Sequence, residues 1–393
     1  MTTSFDQGDG QLAASRFAAH FIPAWLDIAL PSGDGPAPVV EALGDDGPRT
    51  TLAQCRTAFM LAHLHLVTGR QDLLSAAVRI CDFAMEHLRD PDGGFRYAVA
   101  PDGGPLDAPE TRLRRSYDQS FALLALATLH RADATRFPKS MLDACWQFIE
   151  TSLIDPATGG LWEDDRGAEA SVLRAQNPQM HMLEATLQAF EMTSDPVWLD
   201  RARGFVTLAL ERLIDPATGA VCEFVGPDLR PIDGAEGARR EPGHQYEWAW
   251  LLRRYADFAR ESAPLAAADR MQAFVEAHGL RRDGPLAGAP FDALDAAGRV
   301  TEDTHLLWPL TEAGKLYAAR AITTNDAACA ARVRQIADTI FGRYFAADGA
   351  PIWTNRLDAE GRVIWDAALS RLLYHVAVFV TEGSRAGLWT LEE

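Results

Sequence analysis

The segment Ile154-Asp155-Pro156-Ala157-Thr158 recurs without change as Ile214-Asp215-Pro216-Ala217-Thr218. A helical pattern runs into each copy, and a glycine follows each copy. Related turns, in which Asp stands beside Pro or Gly, begin at Asp90, Asp283 and Asp348. The turns lie about 65 residues apart, and such a constant spacing indicates a repeated structural unit. The repeat therefore decides the architecture before any single element is assigned.

Each turn is followed by a short aromatic and β-branched stretch, such as Leu161-Trp162-Glu163 or Ile352-Trp353-Thr354, which predicts a hairpin. A second helix then begins at one of six places, roughly Thr50, Arg115, Asn177, Pro242, Pro309 and Ser370. These second helices are apolar on nearly all sides, whereas the helices before the turns are charged on one side. A helix that is apolar all round is buried, and a one-sided helix lies at the surface.

Six such pairs predict an all-α fold, the (α/α)6 barrel, with six inner helices inside six outer helices and short β-hairpins in the loops. We expect one catalytic domain over residues 1–393. The alternative is an open α-solenoid, in which each helix pair contacts only its neighbours.

Composition excludes several classes of protein. The chain has 48% hydrophobic and 23% charged residues, which is ordinary for a globular protein, and its net charge of −18 repels nucleic acid and anionic membranes. Its five cysteines are scattered and form no C-x-x-C pair, which argues against a zinc site or a disulfide framework. The polar segment 1–10 does not resemble a signal peptide, and the apolar runs are too short to cross a bilayer. We therefore expect a cytoplasmic protein.

The first turns of the predicted inner helices carry polar and aromatic residues. They are Arg56; Tyr117 and Asp118; His181 and Glu184; His244 and Glu247; His305, Trp308 and Glu312; and Arg371 and His375. For any one of them, core packing is the simpler interpretation. Equivalent positions of a pseudo-symmetric barrel converge at one end of its axis, so together they predict a pocket there. A solenoid offers no reason to place such residues at one end of every inner helix.

Three chemistries compete for this pocket. Metal binding would use the His and Glu side chains, but di-iron bundles use Glu-x-x-His and the order here is His-x-x-Glu. The His63-x-His65 pair lies mid-helix, where packing explains it. Glycoside hydrolysis needs two isolated carboxyl groups, one of them protonated. Here each candidate Glu has a His one turn away, which favours its ionised form.

The third chemistry is proton transfer at a carbon next to a carbonyl. Imidazole titrates near neutrality, and a helix N-terminus favours its neutral, basic form. Arg56 could stabilise the oxygen of an enediolate, and the aromatic side chains suit the faces of a sugar ring. The chain has no phosphate-binding loop, dinucleotide fingerprint or G-x-S-x-G motif. An acid–base enzyme without cofactor or metal is favoured.

Four stretches resemble motifs of the N-acylglucosamine 2-epimerase superfamily, and most closely those of its bacterial mannose isomerase members. They are Asn177-Pro178-Gln179-Met180-His181-Met182-Leu183-Glu184, Glu241-Pro242-Gly243-His244-Gln245-Tyr246-Glu247-Trp248-Ala249-Trp250, Leu307-Trp308-Pro309-Leu310-Thr311-Glu312 and Leu373-Tyr374-His375. The resemblance spans residues 50–380 and implies an (α/α)6 barrel. One departure is Gln179, where these isomerases often carry another His.

The resemblance also implies roles for individual residues. His244 and His375 are expected to be the catalytic pair, with Glu247 orienting His244. Substrate contacts are expected from Arg56, Tyr117, Asn177, His181, Trp308 and Glu312. The implied activity is interconversion of a free aldose and ketose, with D-mannose and D-fructose favoured, through a cis-enediolate. Sugar 2-epimerisation and a non-catalytic carbohydrate-binding role are the alternatives. The expected partner is a monosaccharide, and the expected state is monomer or homodimer.

Overall fold

The computed structural model describes residues 10–392, which form fourteen α-helices and nine short β-strands. The helices are α1 Gly10–Arg16, α2 Ile22–Ala29, α3 Thr51–Thr68, α4 Gln71–Phe83, α5 Ser116–Ala132, α6 Lys139–Ser152, α7 Asn177–Thr193, α8 Pro196–Leu208, α9 Gly234–Ala238, α10 Pro242–Ala259, α11 Ala263–His278, α12 Leu307–Thr324, α13 Ala327–Arg343 and α14 Leu373–Arg385. π-Helical turns join α1 to α2 and extend α4 and α8, and a 3-10 turn, Ser370–Leu372, precedes α14.

Six helices form a closed inner ring. They pack in the order α3, α5, α7, α10, α12 and α14, and α14 packs against α3 to close the ring. The outer layer consists of α4, α6, α8, α11 and α13, together with α1, which packs against α13 and α14 and is continued by α2. The predicted (α/α)6 barrel is confirmed. The open solenoid is wrong for this chain, because the first and last inner helices are in contact.

Burial separates the two layers as the amphipathic pattern predicts. In α5 every residue from Phe121 to Leu129 is buried, whereas α4 buries Leu73, Ala77 and Ile80 and exposes the opposite face. Each fully buried Leu or Phe side chain contributes roughly 1.5–3 kcal/mol to folding. The inner ring is therefore the hydrophobic core, and polar side chains within it need another reason to be there.

The repeated turns set where each inner helix begins. The Asp155 carboxylate accepts hydrogen bonds from the Ala157 amide at 2.9 Å and the Thr158 hydroxyl at 2.7 Å, and the Asp215 carboxylate repeats this pattern. Gly159 has φ +74°, a left-handed conformation that glycine adopts without strain. The turn reverses the chain after an outer helix and directs it to the next inner one.

Short antiparallel strands tie neighbouring inner-helix entrances together. The strands are β1 Arg49–Thr50, β2 Ala98–Val99, β3 Arg174–Ala175, β4 Phe224–Val225, β5 Ala293–Leu294, β6 Val300–Glu302, β7 His305–Leu306, β8 Arg356–Leu357 and β9 Val363–Trp365. β1 pairs with β2, β3 with β4, β5 with β6, and β7, β8 and β9 form one sheet. The hairpins after the turns form single bridges, such as Ile154 with Leu161. These strands build a rim around the end where the inner helices begin.

The expectations from composition concern membrane spans, cysteines and a signal peptide. No helix between residues 10 and 392 is long and apolar enough to cross a membrane. The five cysteines are all buried and free. The expectation about a signal peptide concerns a segment of which residues 1–9 lie outside the described part of the chain.

Candidate active site

A pocket of about 250 Å³ opens at the rim end of the barrel axis. Its lining consists of Arg56, Tyr117, Asn177, His181, Glu241, His244, Glu247, Leu306, Trp308, Asn355, Trp365, Leu369, Arg371, Leu372 and His375. Eight of the nine predicted site residues lie in this lining, and Glu312 does not. Pro178 and Pro242 lie in the first turns of α7 and α10, where a missing amide hydrogen costs nothing, so they help these helices to begin at the pocket.

Each of the three pocket histidines presents Nδ1 to a carboxylate. Nδ1 of His181 lies 2.9 Å from Glu184, Nδ1 of His244 lies 2.8 Å from Glu223, and Nδ1 of His375 lies 2.7 Å from Glu312. A carboxylate on one ring nitrogen sets the orientation of the imidazole and leaves the other nitrogen available. In all three cases Nε2 is the nitrogen left for a ligand.

His244 is held by two carboxylates. Glu223 lies at 2.8 Å and Glu241 at 3.3 Å from its Nδ1. Burial alone would lower the pKa of His244, but these carboxylates outweigh it and raise the pKa to about 9. His244 is therefore an imidazolium at neutral pH and can donate a proton or stabilise an anion.

Glu223, and not Glu247, occupies Nδ1 of His244, so the predicted orienting role of Glu247 lacks this contact and stays a prediction. Glu223 lies just before β4 and also accepts a hydrogen bond from the Glu241 amide at 3.1 Å. The repeat offered a signal: Glu163, at the equivalent position of the preceding unit, accepts from the Ala175 amide at 2.7 Å. The presence of Glu at the same place in two successive repeats could have identified Glu223 as a rim carboxylate.

Glu247 is buried at the base of the pocket. Neither of its carboxylate oxygens has a hydrogen-bond partner among the residues the structure describes. Burial and the carboxylate of Glu312 raise the pKa of Glu247 well above its usual range. The surroundings therefore favour its protonated form, which can donate a hydrogen bond to a ligand oxygen.

His375 has the opposite surroundings to His244. Burial and the positive charges of Arg56 and Lys315 hold its pKa well below 6.5. The Glu312 carboxylate that contacts His375 is itself fully buried and lies 2.5 Å from the Lys315 ammonium. Glu312 contacts His375 and lies outside the pocket lining, so its predicted contact with the substrate is not supported by this geometry and stays a prediction.

His181 forms a second neutral imidazole. Burial lowers its pKa to about 4. Burial opposes the ionisation of Glu184, but the hydrogen bond from His181 lowers the Glu184 pKa to about 2. His181 therefore presents an uncharged Nε2 to the pocket.

Arg56 supplies a fixed cation. Its guanidinium donates to the Tyr117 hydroxyl at 2.6 Å and lies 4.0 Å from the ring centre of Phe121 and 4.5 Å from that of Tyr374. Among the described residues no carboxylate forms an ion pair with it, so its charge is available to a ligand. Aromatic faces hold the guanidinium in place while the ring quadrupoles favour its charge.

Trp308 packs near both predicted catalytic histidines. Its ring centre lies 4.7 Å from that of His244 and 5.9 Å from that of His375. A Cβ on Gly243 would lie 2.4 Å from the Trp308 ring, so only glycine permits this approach. The indole face offers a surface on which a sugar ring can pack.

Four residues of the predicted constellation lie outside the pocket lining: Glu184 and Glu312, which contact His181 and His375, and also His305 and Asp118. His305 is in β7, where its Nδ1 lies 2.7 Å from the Pro290 carbonyl oxygen, and it does not line the pocket. Asp118 is buried and accepts from Arg115 at 3.0 Å. Sequence reasoning also missed lining residues that come from loops, strands and the 3-10 turn before α14, namely Glu241, Leu306, Asn355, Trp365, Leu369 and Leu372. These residues follow no helical spacing that a pattern search can detect.

Three groups of side chains place possible metal ligands within 4.8 Å of one another. They are His181, Glu184 and Glu247; Glu223, Glu241 and His244; and Glu247, Glu312 and His375. In each group the His Nδ1 is already hydrogen-bonded to a carboxylate, and in the third Lys315 supplies positive charge. The donor sets fit a hydrogen-bonded acid–base site better than a metal site.

Comparison with known proteins identifies the family. Residues 41–378 match the family described as N-acylglucosamine 2-epimerase (GlcNAc 2-epimerase). The mannose-6-phosphate isomerase of Rhizobium meliloti (strain 1021) is 30% identical over 300 residues, 74% of this chain and 74% of that protein. The D-mannose isomerase of Thermobifida fusca is 30% identical over 278 residues, 66% of this chain and 63% of that protein.

A crystal structure of D-mannose isomerase superposes with a TM-score of 0.83 at 18% identity, covering 97% of this chain and 100% of that one. At this identity the likeness shows the (α/α)6 barrel alone. The family match covers most of the chain and includes all four motifs. The chain therefore belongs to the N-acylglucosamine 2-epimerase family and is a sugar isomerase or epimerase.

Proposed function

We propose that this enzyme interconverts a free aldose and ketose, with D-mannose and D-fructose as the pair. The observation that carries the proposal is that two histidines in contact with Trp308 differ in protonation, His244 being cationic and His375 neutral at pH 7. An isomerase of this kind needs a neutral base for C2 and a cationic group for the developing oxyanion. The similar protein from Thermobifida fusca, named D-mannose isomerase, supports the choice of sugar.

In this mechanism Nε2 of His375 removes the proton from C2 of the open-chain aldose. The electron pair forms the C1–C2 double bond, and negative charge develops on O1. The His244 imidazolium and the Arg56 guanidinium stabilise that charge. Return of the proton to C1, with transfer of the O2 proton to O1, yields the ketose. A positioned base of this kind contributes ~10²–10⁴-fold to the rate.

The same pair of histidines also permits 2-epimerisation, if His244 delivers its proton to C2 from the opposite face. Incubation with D-mannose in D₂O separates the two reactions. We expect fructose with deuterium at C1. Glucose carrying deuterium at C2 as the main early product would establish an epimerase instead, and no turnover of any aldose would favour a carbohydrate-binding role.

A second candidate substrate is an aldose 6-phosphate. Arg371 lines both the pocket and an adjoining compartment of about 450 Å³, and among the described residues no carboxylate forms an ion pair with it. The nearby Glu41 is hydrogen-bonded to Thr50 instead. One relative is named mannose-6-phosphate isomerase. If this candidate is correct, kcat/KM for mannose 6-phosphate will exceed that for mannose, and Arg371→Gln will reverse the order.

The domain assignment, the cytoplasmic location and the monomeric or dimeric state stay predictions. The closed inner ring supports a single catalytic domain, because α3 and α14 contact each other across nearly the whole length of the chain. Size-exclusion chromatography with light scattering would determine the oligomeric state.

A further inference from the structure

Lys315 is a buried cation that the proposed reaction does not use directly. It lies on α12, three residues after Glu312, and its side chain has no exposed surface. Its ammonium lies 2.5 Å from Glu312 Oε2 and 4.3 Å from the ring centre of Trp250. Burying an ammonium is unfavourable unless a partner compensates for its lost hydration, so its place in the inner ring needs an explanation.

Glu312 connects Lys315 to the proposed base. One carboxylate oxygen of Glu312 contacts Lys315, and the other contacts Nδ1 of His375 at 2.7 Å. The three side chains form a continuous chain from the barrel axis to the pocket. Because Lys315 and His375 both contact the Glu312 carboxylate, the charge of Lys315 favours the ionised form of Glu312, and ionised Glu312 in turn acts on His375.

The other charged groups around this chain make the need for a cation clear. The carboxyl groups of Glu184, Glu247 and Glu382 all interact electrostatically with the Lys315 ammonium. Besides Lys315 and Glu312, the groups that face His375 include Glu247, within 4.8 Å, and Arg56, His181 and Glu184. Without Lys315, the neighbouring carboxyl groups of Glu184, Glu247 and Glu312 would lose the cation that acts on all three.

Loss of Lys315 would have one of two consequences. If Glu312 took up a proton, it would donate to Nδ1 of His375, and the ring proton would move to Nε2, the atom that must act as the base. If Glu312 stayed ionised without its partner, it would stabilise the imidazolium form of His375. In both cases the basic form of Nε2 is lost at a higher pH than in the native enzyme.

We propose that Lys315 is a positioning residue that keeps Glu312 ionised, and thereby keeps His375 in the tautomer with hydrogen on Nδ1 and a free Nε2. This inference rests on the proposed role of His375 as the base. It assigns a function to a side chain that contacts neither the pocket nor a substrate.

The pH dependence of kcat/KM tests the proposal in Lys315→Met and Lys315→Arg. In the Met variant we expect the acidic limb to move up to neutral pH or above, so that kcat/KM at pH 7 falls below that of the native enzyme. The Arg variant retains the charge and should keep the limb in place. A folded Met variant whose acidic limb does not move would overturn the proposal, because a packing role lowers stability without shifting that limb.

A double-mutant cycle covers the case in which Lys315→Met does not fold. Removing both members of a buried ion pair is tolerated better than removing one, so Glu312→Gln/Lys315→Met is compared with Glu312→Gln. If Lys315 acts through Glu312, its loss has no further effect on kcat/KM in the Gln background. An additional loss of tenfold or more would overturn the proposal.

A readout independent of activity separates this inference from the proposed function. In ¹⁵N spectra of histidine-labelled enzyme, the His375 ring, assigned by its absence in His375→Asn, should carry hydrogen on Nδ1. In Lys315→Met it should carry hydrogen on Nε2 at neutral pH. An unchanged ring would overturn the role of Lys315, whereas lack of aldose turnover by the native enzyme would overturn the isomerase proposal alone.

Discussion

The surroundings of His244 and His375 differ although the two residues occupy similar places. Both lie in the first turns of inner helices, both line the pocket, and both contact a carboxylate through Nδ1. His244 faces two carboxylates, whereas the single carboxylate on His375 is shared with Lys315. The pKa of His244 is therefore raised to about 9, and that of His375 is well below 6.5.

The difference shows that the surroundings of each histidine, and not the residue type, determine which one acts as the acid and which as the base. The carboxylates around His244 come from the rim, from the loops before β4 and α10. The Lys315 and Glu312 pair comes from inside the barrel, on α12. One histidine is thus tuned by the rim and the other by the inner ring, so the two regions can be perturbed separately.

The largest effect is expected from removing either histidine. His244→Asn and His375→Asn should each lower turnover by at least ~100-fold, because each removes a positioned proton carrier. Initial rates with D-mannose measure the loss, and circular dichroism checks that the barrel is intact. Near-normal turnover in either folded variant would show that this histidine is not part of the mechanism, and would contradict the division of acid and base roles between His244 and His375.

A smaller effect is expected from Glu223→Gln, which perturbs the rim side alone. With one carboxylate lost, the pKa of His244 falls from about 9, so the basic limb of kcat/KM should move to lower pH. At pH 8 we expect a loss of ~10-fold. The acidic limb, which belongs to His375, should not move.

The matched control for Glu223→Gln is Glu163→Gln. Glu163 occupies the equivalent place in the preceding repeat and contacts a backbone amide, not a histidine. Its variant should leave the basic limb where it is. A shift of equal size in both variants would mean that general surface charge, and not contact with Nδ1, sets the pKa of His244.

Gly243→Ala displaces Trp308, whose ring lies near both histidines. The new methyl group would lie 2.4 Å from Trp308, so the indole must move. We expect KM to rise by several-fold, because the surface proposed to hold the sugar is displaced while both ion pairs remain. Unchanged KM and kcat would show that Trp308 has no part in holding the substrate.

No effect is expected from removing divalent metal ions. Each histidine Nδ1 is hydrogen-bonded to a carboxylate, and Arg56 and His244 provide the positive charge that an enediolate requires. Dialysis against EDTA should leave kcat/KM unchanged. Loss of activity that Mn²⁺ or Zn²⁺ restores would indicate a metal in one of the three His–carboxylate groups and would contradict an acid–base mechanism without metal.

Much of the architecture could be predicted from the chain alone. The recurring Asp155 and Asp215 turns and the contrast between all-round and one-sided apolar helices indicated six inner and six outer helices. Inner-helix starts predicted near Thr50, Arg115 and Pro242 lie within one residue of the observed starts. Periodicity is a local property of sequence, and equivalent positions of a closed ring converge by symmetry, so the pocket itself was predictable.

The tertiary structure decided which groups touch. Glu223 reaches His244 from 21 positions earlier in the chain, and Glu312 reaches His375 from 63 positions earlier. His305 has the spacing of a site residue, yet the strand β7 holds it outside the pocket. Ionisation depends on burial and on charges contributed by several elements, so the opposite states of His244 and His375 follow from the closed barrel, whereas the chain by itself determined only that both histidines would lie at its rim.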